Sequence, residues 1–187
     1  MKERIKNLLN LDDSLSKTDI HEKIISLENL SETCLAIEQC AEACQKCSNY
    51  GKLWTCPPFF ENVRTSYNEI EIIVCRIPTI KGMSMADCLK TMYEPVKEIV
   101  HRVLLEREKE CHGIALSFAG SCSFCKAGIC SRVDNLPCRH PELARRSLEG
   151  IGFDVGKILE TYFGIKLEWS QGENMPEYLT FVAGVMY

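Results

Sequence analysis

The sequence predicts an α+β fold: a single-layer mixed or antiparallel sheet with helices packed on one face, a sandwich of the ferredoxin-like type, carrying two cysteine-rich loops. Three observations lead there. Residues 70–77 and 179–186 are β-type apolar runs, and residues 85–103 carry a helical stripe. From residue 70 onward the order reads β-α-β, cysteine loop, α-β-β, so helix and strand alternate first and two strands then pair locally. A length of 187 residues fits one domain. A chain this long buries roughly 70% of its unfolded surface, so neither metal nor disulfide is needed merely to make a core.

Residues 1–30 are polar and charged and are read as an N-terminal arm ahead of a single domain over 31–187. Apolar spacing at Ile5, Leu8 and Leu9, then at Ile20, Ile24, Ile25 and Leu27, fits one or two short helices, or a helix and a strand. Residues 31–44 look helical, with Ser31 as N-cap; the following stretch must stop at Cys56-Pro57-Pro58, because proline cannot continue a helix. The clearest helix has Met85, Leu89, Met92, Val96, Ile99 and Val103 on one face. Ser84 followed by Asp87 suits its cap, and Pro95 predicts a kink or restart. Residues 113–118 form a second short strand. Asp154 opens a helix over 154–163, with Val155, Ile158, Leu159 and Tyr162 inward and Gly164 ending it. Residues 165–169 and 179–186 read as two strands joined by the turn-rich Gln171-Gly-Glu-Asn-Met-Pro176.

Composition narrows the function. Lys plus Arg is 22 against 26 for Asp plus Glu, a formal net charge of −4, which speaks against a general nucleic-acid or anionic-membrane binder. No apolar run approaches the ~20 residues that span a bilayer, and no secretory signal follows the charged N-terminus, so a reducing cytoplasm is the expected compartment. Twelve cysteines stand out, about 6% of the chain against the 8–10% of a short disulfide scaffold. In a reducing compartment, clustered cysteines bind metal or do redox chemistry. Eight fall into two tight groups, whereas Cys34, Cys75, Cys88 and Cys111 are scattered and read as core or spare residues. Core filler has no reason to bunch in fours.

The first group is Cys40-x3-Cys44-x2-Cys47-x8-Cys56-Pro57. Cys40 and Cys44 share one helical face, Cys47 lies just past, and Cys56 returns after a turn carrying Gly51. The second is Cys122-x2-Cys125-x4-Cys130-x7-Cys138. There Gly120, Ser121, Ser123, Gly128 and Ser131 make a loop able to donate N–H groups to sulfur. Four soft thiolates at one point suit an iron–sulfur cluster or zinc and exclude magnesium or calcium. Three close cysteines with a distal Cys-Pro favour the cluster, since zinc sites more usually pair two Cys-x2-Cys units. Arg132, Arg139, Arg145 and Arg146 lie close by, to offset cluster charge, bind an anion or form a solvated basic face. His140 reads as a neighbour of the second site or a surface residue, and Glu106, Glu108 and Glu110 as a solvated acidic helix end.

Tyr50-Gly51-Lys52-x-Trp54-x-Cys56-Pro57-Pro58-Phe59, preceded by Cys44-x2-Cys47, resembles the signature of DUF2284, a family of small predicted metal-binding proteins. Gly120-Ser-Cys122-x2-Cys125, Cys138-Arg139-His140-Pro141 and Ser147-Leu-Glu-Gly-Ile-Gly152-Phe-Asp-Val155 agree with it. The resemblance runs from about Ile20 and implies cysteine-bound metal of the iron–sulfur kind, in bacteria and archaea, with no agreed reaction. Cys44, Cys47, Cys56, Cys122, Cys125 and Cys138 match it directly, while Cys40 and Cys130 rest on spacing.

Three functions compete. The first is a protein with two clusters, of the [4Fe–4S] kind, that passes electrons as a redox partner or subunit. The second is a structural zinc module for interactions. The third is a thiol–disulfide oxidoreductase using Cys44/Cys47 or Cys122/Cys125. Gly150-x-Gly152-x3-Gly156 misses the dinucleotide fingerprint, and Ser123-x2-Lys126 lacks companion motifs.

Overall fold

Strand β2, Glu69–Pro78, is the spine of the sheet. The strand period of two sends Ile73, Cys75 and Ile77 to one face and Ile70, Ile72 and Val74 to the other, and all six are buried. In the computed structural model, which describes residues 1–59, 63–120, 122–125, 129–170 and 174–187, β2 is paired antiparallel on both edges. Strand β1, Asp19–Ser26, runs from Asp19 opposite Arg76 to Ser26 opposite Glu69. Strand β4, Tyr178–Met186, runs from Tyr178 opposite Pro78 to Met186 opposite Ile70. Strand β3, Ile114–Leu116, lies on the far edge of β4, giving the order β1-β2-β4-β3 with every pair antiparallel.

The α+β class is as expected, but the helices do not keep to one face. Helices α1 (Lys2–Leu9) and α5 (Glu94–Cys111) cover the Ile73–Cys75 side, where Ile5, Leu9, Val96, Val100 and Leu104 meet Phe181 and Val185. Helices α2 (Leu27–Cys34) and α6 (Val155–Ile158) cover the other, where Leu30, Cys34, Phe153 and Ile158 meet Ile70, Ile72 and Val182. The cause is sequence. Both central strands are apolar on both sides, so each face needs cover.

The stretch read as an arm supplies α1 and β1, and β1 is bonded along its whole length to β2. Ser26, rather than Ser31, caps α2, its side chain accepting from Asn29 N. The helix expected over 31–44 breaks at Leu35–Ala36, where Leu35 bridges Phe153, Ala36 N donates to Gly152 O, and Asp154 N donates to Cys34 O. Helix α3, Ile37–Gln45, starts beyond that seam. A Cβ on Gly152, at φ +97°, would meet Ile37 Cγ1 at 3.1 Å, so glycine lets α3 sit this close.

Ser84 accepts from Asp87 N and donates to the Asp87 carboxylate, capping α4, Met85–Cys88. A π-helical turn over Leu89–Tyr93 then leads into α5, whose first turn holds Pro95; this is the expected restart. Asp154 caps α6 through Lys157 N, and Gly164 ends the following π turn in the left-handed region. Residues 165–169 form no strand, correcting that expectation; the far edge of β4 is paired only at Gly184–Met186, with the three residues of β3. Residues 171–173 of the expected turn lie outside the described residues. Cys34, Cys75 and Cys88 are fully buried in the core. Among the described residues no helix is long and apolar enough to cross a membrane.

Candidate metal centre

Helix α3 presents Cys40 and Cys44 one turn apart. The chain then tightens: Cys47 N donates to Cys44 O at 3.0 Å and Tyr50 N to Cys47 O at 3.1 Å. Gly51 takes φ +70° at the turn and its N–H closes on Pro57 O at 2.9 Å, which returns Cys56 towards the helix. Cys40, Cys44, Cys47 and Cys56 all line one groove of about 1100 Å³.

The second group follows β3. Ser117 N donates to Arg146 O at 2.9 Å, clamping the strand end, and Phe124 sits against Phe118 and His101 at 5.3 and 5.6 Å between ring centroids. Ser131, 1% exposed, donates through Oγ to Pro137 O at 2.7 Å and accepts Leu136 N on its carbonyl. Cys122, Cys125, Cys130 and Cys138 line one small cavity of about 20 Å³ together with His140. Two backbone amides serve sulfur as a cluster or thiolate site requires: His140 N donates to Cys138 Sγ at 3.4 Å, and Phe124 N favours the Cys122 thiolate. Ser121, Lys126 and Gly128, read as parts of this loop and of the Ser123-x2-Lys126 motif, lie outside the described residues.

All twelve cysteines are free thiols. Burial pushes Cys40 up to about 11, with Asp154, Glu149 and Cys44 adding to the rise. Burial also raises Cys44, reinforced by Glu149 and Cys47, and Cys122, reinforced by Cys125, Cys130 and Cys138. Cys56 is raised by burial and by Cys47 and Cys44, against the Thr55 hydroxyl and the Arg132 guanidinium, which favour its thiolate. Near neutral pH such thiols stay protonated unless a cation replaces the proton. Among the described residues no three or more His, Cys, Asp or Glu side chains stand grouped closely enough to hold a metal ion as they are. Eight thiols in two foursomes are the donor type a thiophilic metal takes.

The two sites abut, which the sequence did not reveal. Thr55, 3% exposed, lines both cavities. Arg132, from the second stretch, donates Nη1 to Leu53 O at 2.7 Å and to Cys56 O, and Nη2 to Pro58 O at 2.8 Å. Its guanidinium lies 5.2 Å from the Trp54 ring centroid, and the indole N–H donates to Leu136 O at 3.1 Å. The remaining arginines are spent elsewhere. Arg139 bonds Ile129 O, Arg146 stacks on Phe59, and Arg145 makes a two-pronged bridge to Glu108 at 2.6 and 2.7 Å. Glu108 also accepts Ala115 N at 2.6 Å, so it is a structural anchor and not a solvated acid, unlike Glu106 and Glu110, which pair with Arg4 at the surface.

No curated protein and no solved structure matches this chain. A family model described as predicted metal-binding protein matches residues 23–187, and the chain belongs to that family, DUF2284.

Proposed function

We propose that this protein holds two iron–sulfur clusters, of the [4Fe–4S] kind, one on Cys40, Cys44, Cys47 and Cys56 and the other on Cys122, Cys125, Cys130 and Cys138, and that it passes electrons as partner or subunit of a larger redox system. One observation carries the reading: each foursome lines a single cavity, and the two cavities are neighbours through Thr55. Pure sulfur donor sets select thiophilic metals. When bound, such clusters supply reversible one-electron uptake. The chain's own residues supply the rest. The amides of His140 and Phe124 favour anionic sulfur, Arg132 brings a positive charge to the junction, and Phe124 packed on Phe118 and His101 shields one wall.

A dithiol oxidoreductase needs a thiol with a lowered pKa, whereas burial raises Cys44 and Cys122, one from each Cys-x2-Cys pair. Structural zinc draws on the same donors and is separated by colour and sulfide. Anaerobic purification with iron, sulfide and zinc analysis and a visible spectrum tests the reading. Brown protein that bleaches on reduction supports it; colourless protein with stoichiometric zinc and no sulfide refutes it.

A further inference from the structure

The two cysteine groups differ in what lies in front of them. The second faces about 20 Å³, little more than a water needs. The first faces about 1100 Å³, as large as a pocket for an organic ligand. That space exceeds what four sulfurs and a metal centre fill, so the excess needs its own explanation.

Its walls have a consistent chemistry. Glu149, Asp154, Glu160 and Glu168 line it, against one cation among the described lining residues, Lys166. Asp154 is engaged as the cap of α6, and Glu168 pairs with Arg76 at 3.7 Å. With Glu149 neutral, Asp154, Glu160 and Glu168 face Lys166 and the Arg76 guanidinium paired with Glu168, so the groove keeps a net negative charge. Such a surface repels phosphate, sulfonate and carboxylate ligands and attracts cations. Tyr93, Trp169 and Tyr178 supply rings; Trp169 is 74% exposed, and the Tyr178 ring already carries the Arg76 guanidinium at 3.9 Å. An aromatic face in an acidic surround attracts cations.

We propose that this groove is a binding site for a planar, positively charged organic molecule, held between Trp169 and the first cysteine group. The binding argument uses the carboxylates and rings alone and stands whichever metal the cysteines hold. Only its consequence, that the first site faces a substrate while the second serves as relay, rests on the iron–sulfur reading.

The test is titration of the anaerobically purified chain with N-methylquinolinium and, as a charge-reversed control, naphthalene-1-sulfonate, followed by calorimetry and tryptophan fluorescence. The cation should bind saturably with the sulfonate at least roughly tenfold weaker. Trp169→Phe should abolish most of the quenching while leaving the thermal midpoint unchanged, because Trp54, the other tryptophan, is tied up at the Arg132 junction. Glu160→Lys, an exposed change, should weaken the cation several-fold. Equal or tighter sulfonate binding, no saturable binding of the cation, or quenching undiminished in Trp169→Phe would each overturn the proposal. Iron and sulfide measured on the same preparation decide the metal reading separately.

Discussion

Arg132 donates to the backbone carbonyl of Cys56, so a side chain from one cysteine-rich stretch holds the last cysteine of the other. The same guanidinium reaches Leu53 and Pro58 and lies over Trp54. A planar fork with five donors suits three carbonyls and a ring face at once, which a lysine cannot match.

Arg132→Lys should therefore keep the charge and lose the junction. Hydrogen bonds to charged groups contribute about 1.5–3 kcal/mol each but are not additive here, so a loss of about 2 kcal/mol is expected in denaturant unfolding. Metal bound per chain should also fall at the first site. A variant with unchanged stability and full metal content would show that the junction has no structural role.

The buried cysteines should separate from the clustered ones. Cys75 sits fully buried beside Ile73 and Phe181, and burial pushes its thiol up to about 12. Cys75→Ser puts an unpaired hydroxyl into that core and should cost about 1–3 kcal/mol, with metal content unchanged. Loss of metal from this variant in proportion to the cysteine removed would make Cys75 a ligand after all.

Acid stability has an identifiable source. His101 is buried with Nδ1 2.6 Å from Ser117 Oγ; burial, with Arg145 and Lys97, pushes its pKa down to about 4 against the opposing Glu108. An unfolded chain takes up this proton near 6.5, the folded one only near 4. Between those values the unfolded state binds more protons, so stability falls as pH drops from 6.5 to 4, by roughly 3 kcal/mol from this residue. Metal-free His101→Gln should show a flatter dependence over that window than the parent chain. Parallel curves would assign the acid sensitivity elsewhere.

Thiol reactivity tests the raised pKa values. In metal-free protein near pH 7.5, Cys40 at about 11 should alkylate more slowly than an ordinary cysteine, and its rate should climb as pH rises, since only the thiolate reacts. Fast labelling of either Cys-x2-Cys pair at pH 6 would instead favour dithiol chemistry.

Where local sequence and tertiary demand agree, the fold was legible: β2, β4, the Ser84 and Asp154 caps, Gly164 and the restart at Pro95. It failed where distant contacts decide. The Ala- and Glu-rich run around Leu35 is broken by pairing with Phe153, and the alternating Ile165-Lys-Leu-Glu-Trp169 does not join the sheet. Glu108 looked solvated because its partner, Arg145, is far along the chain. Spacing alone proposes the two cysteine foursomes, and the structure lines one cavity with each; the adjacency of those cavities has no counterpart in the spacing. It depends on Arg132 crossing to carbonyls that carry no side-chain signal.

The most direct measurement is iron and sulfide per chain in anaerobically purified protein and in two variants, Cys44→Ser/Cys47→Ser and Cys122→Ser/Cys125→Ser. Two independent four-iron clusters predict about eight iron and eight sulfide in the parent, about four of each in either variant, and near none when both are combined. Zinc in place of iron and sulfide, or a parent count unaltered by either pair of substitutions, would contradict two cysteine-held clusters.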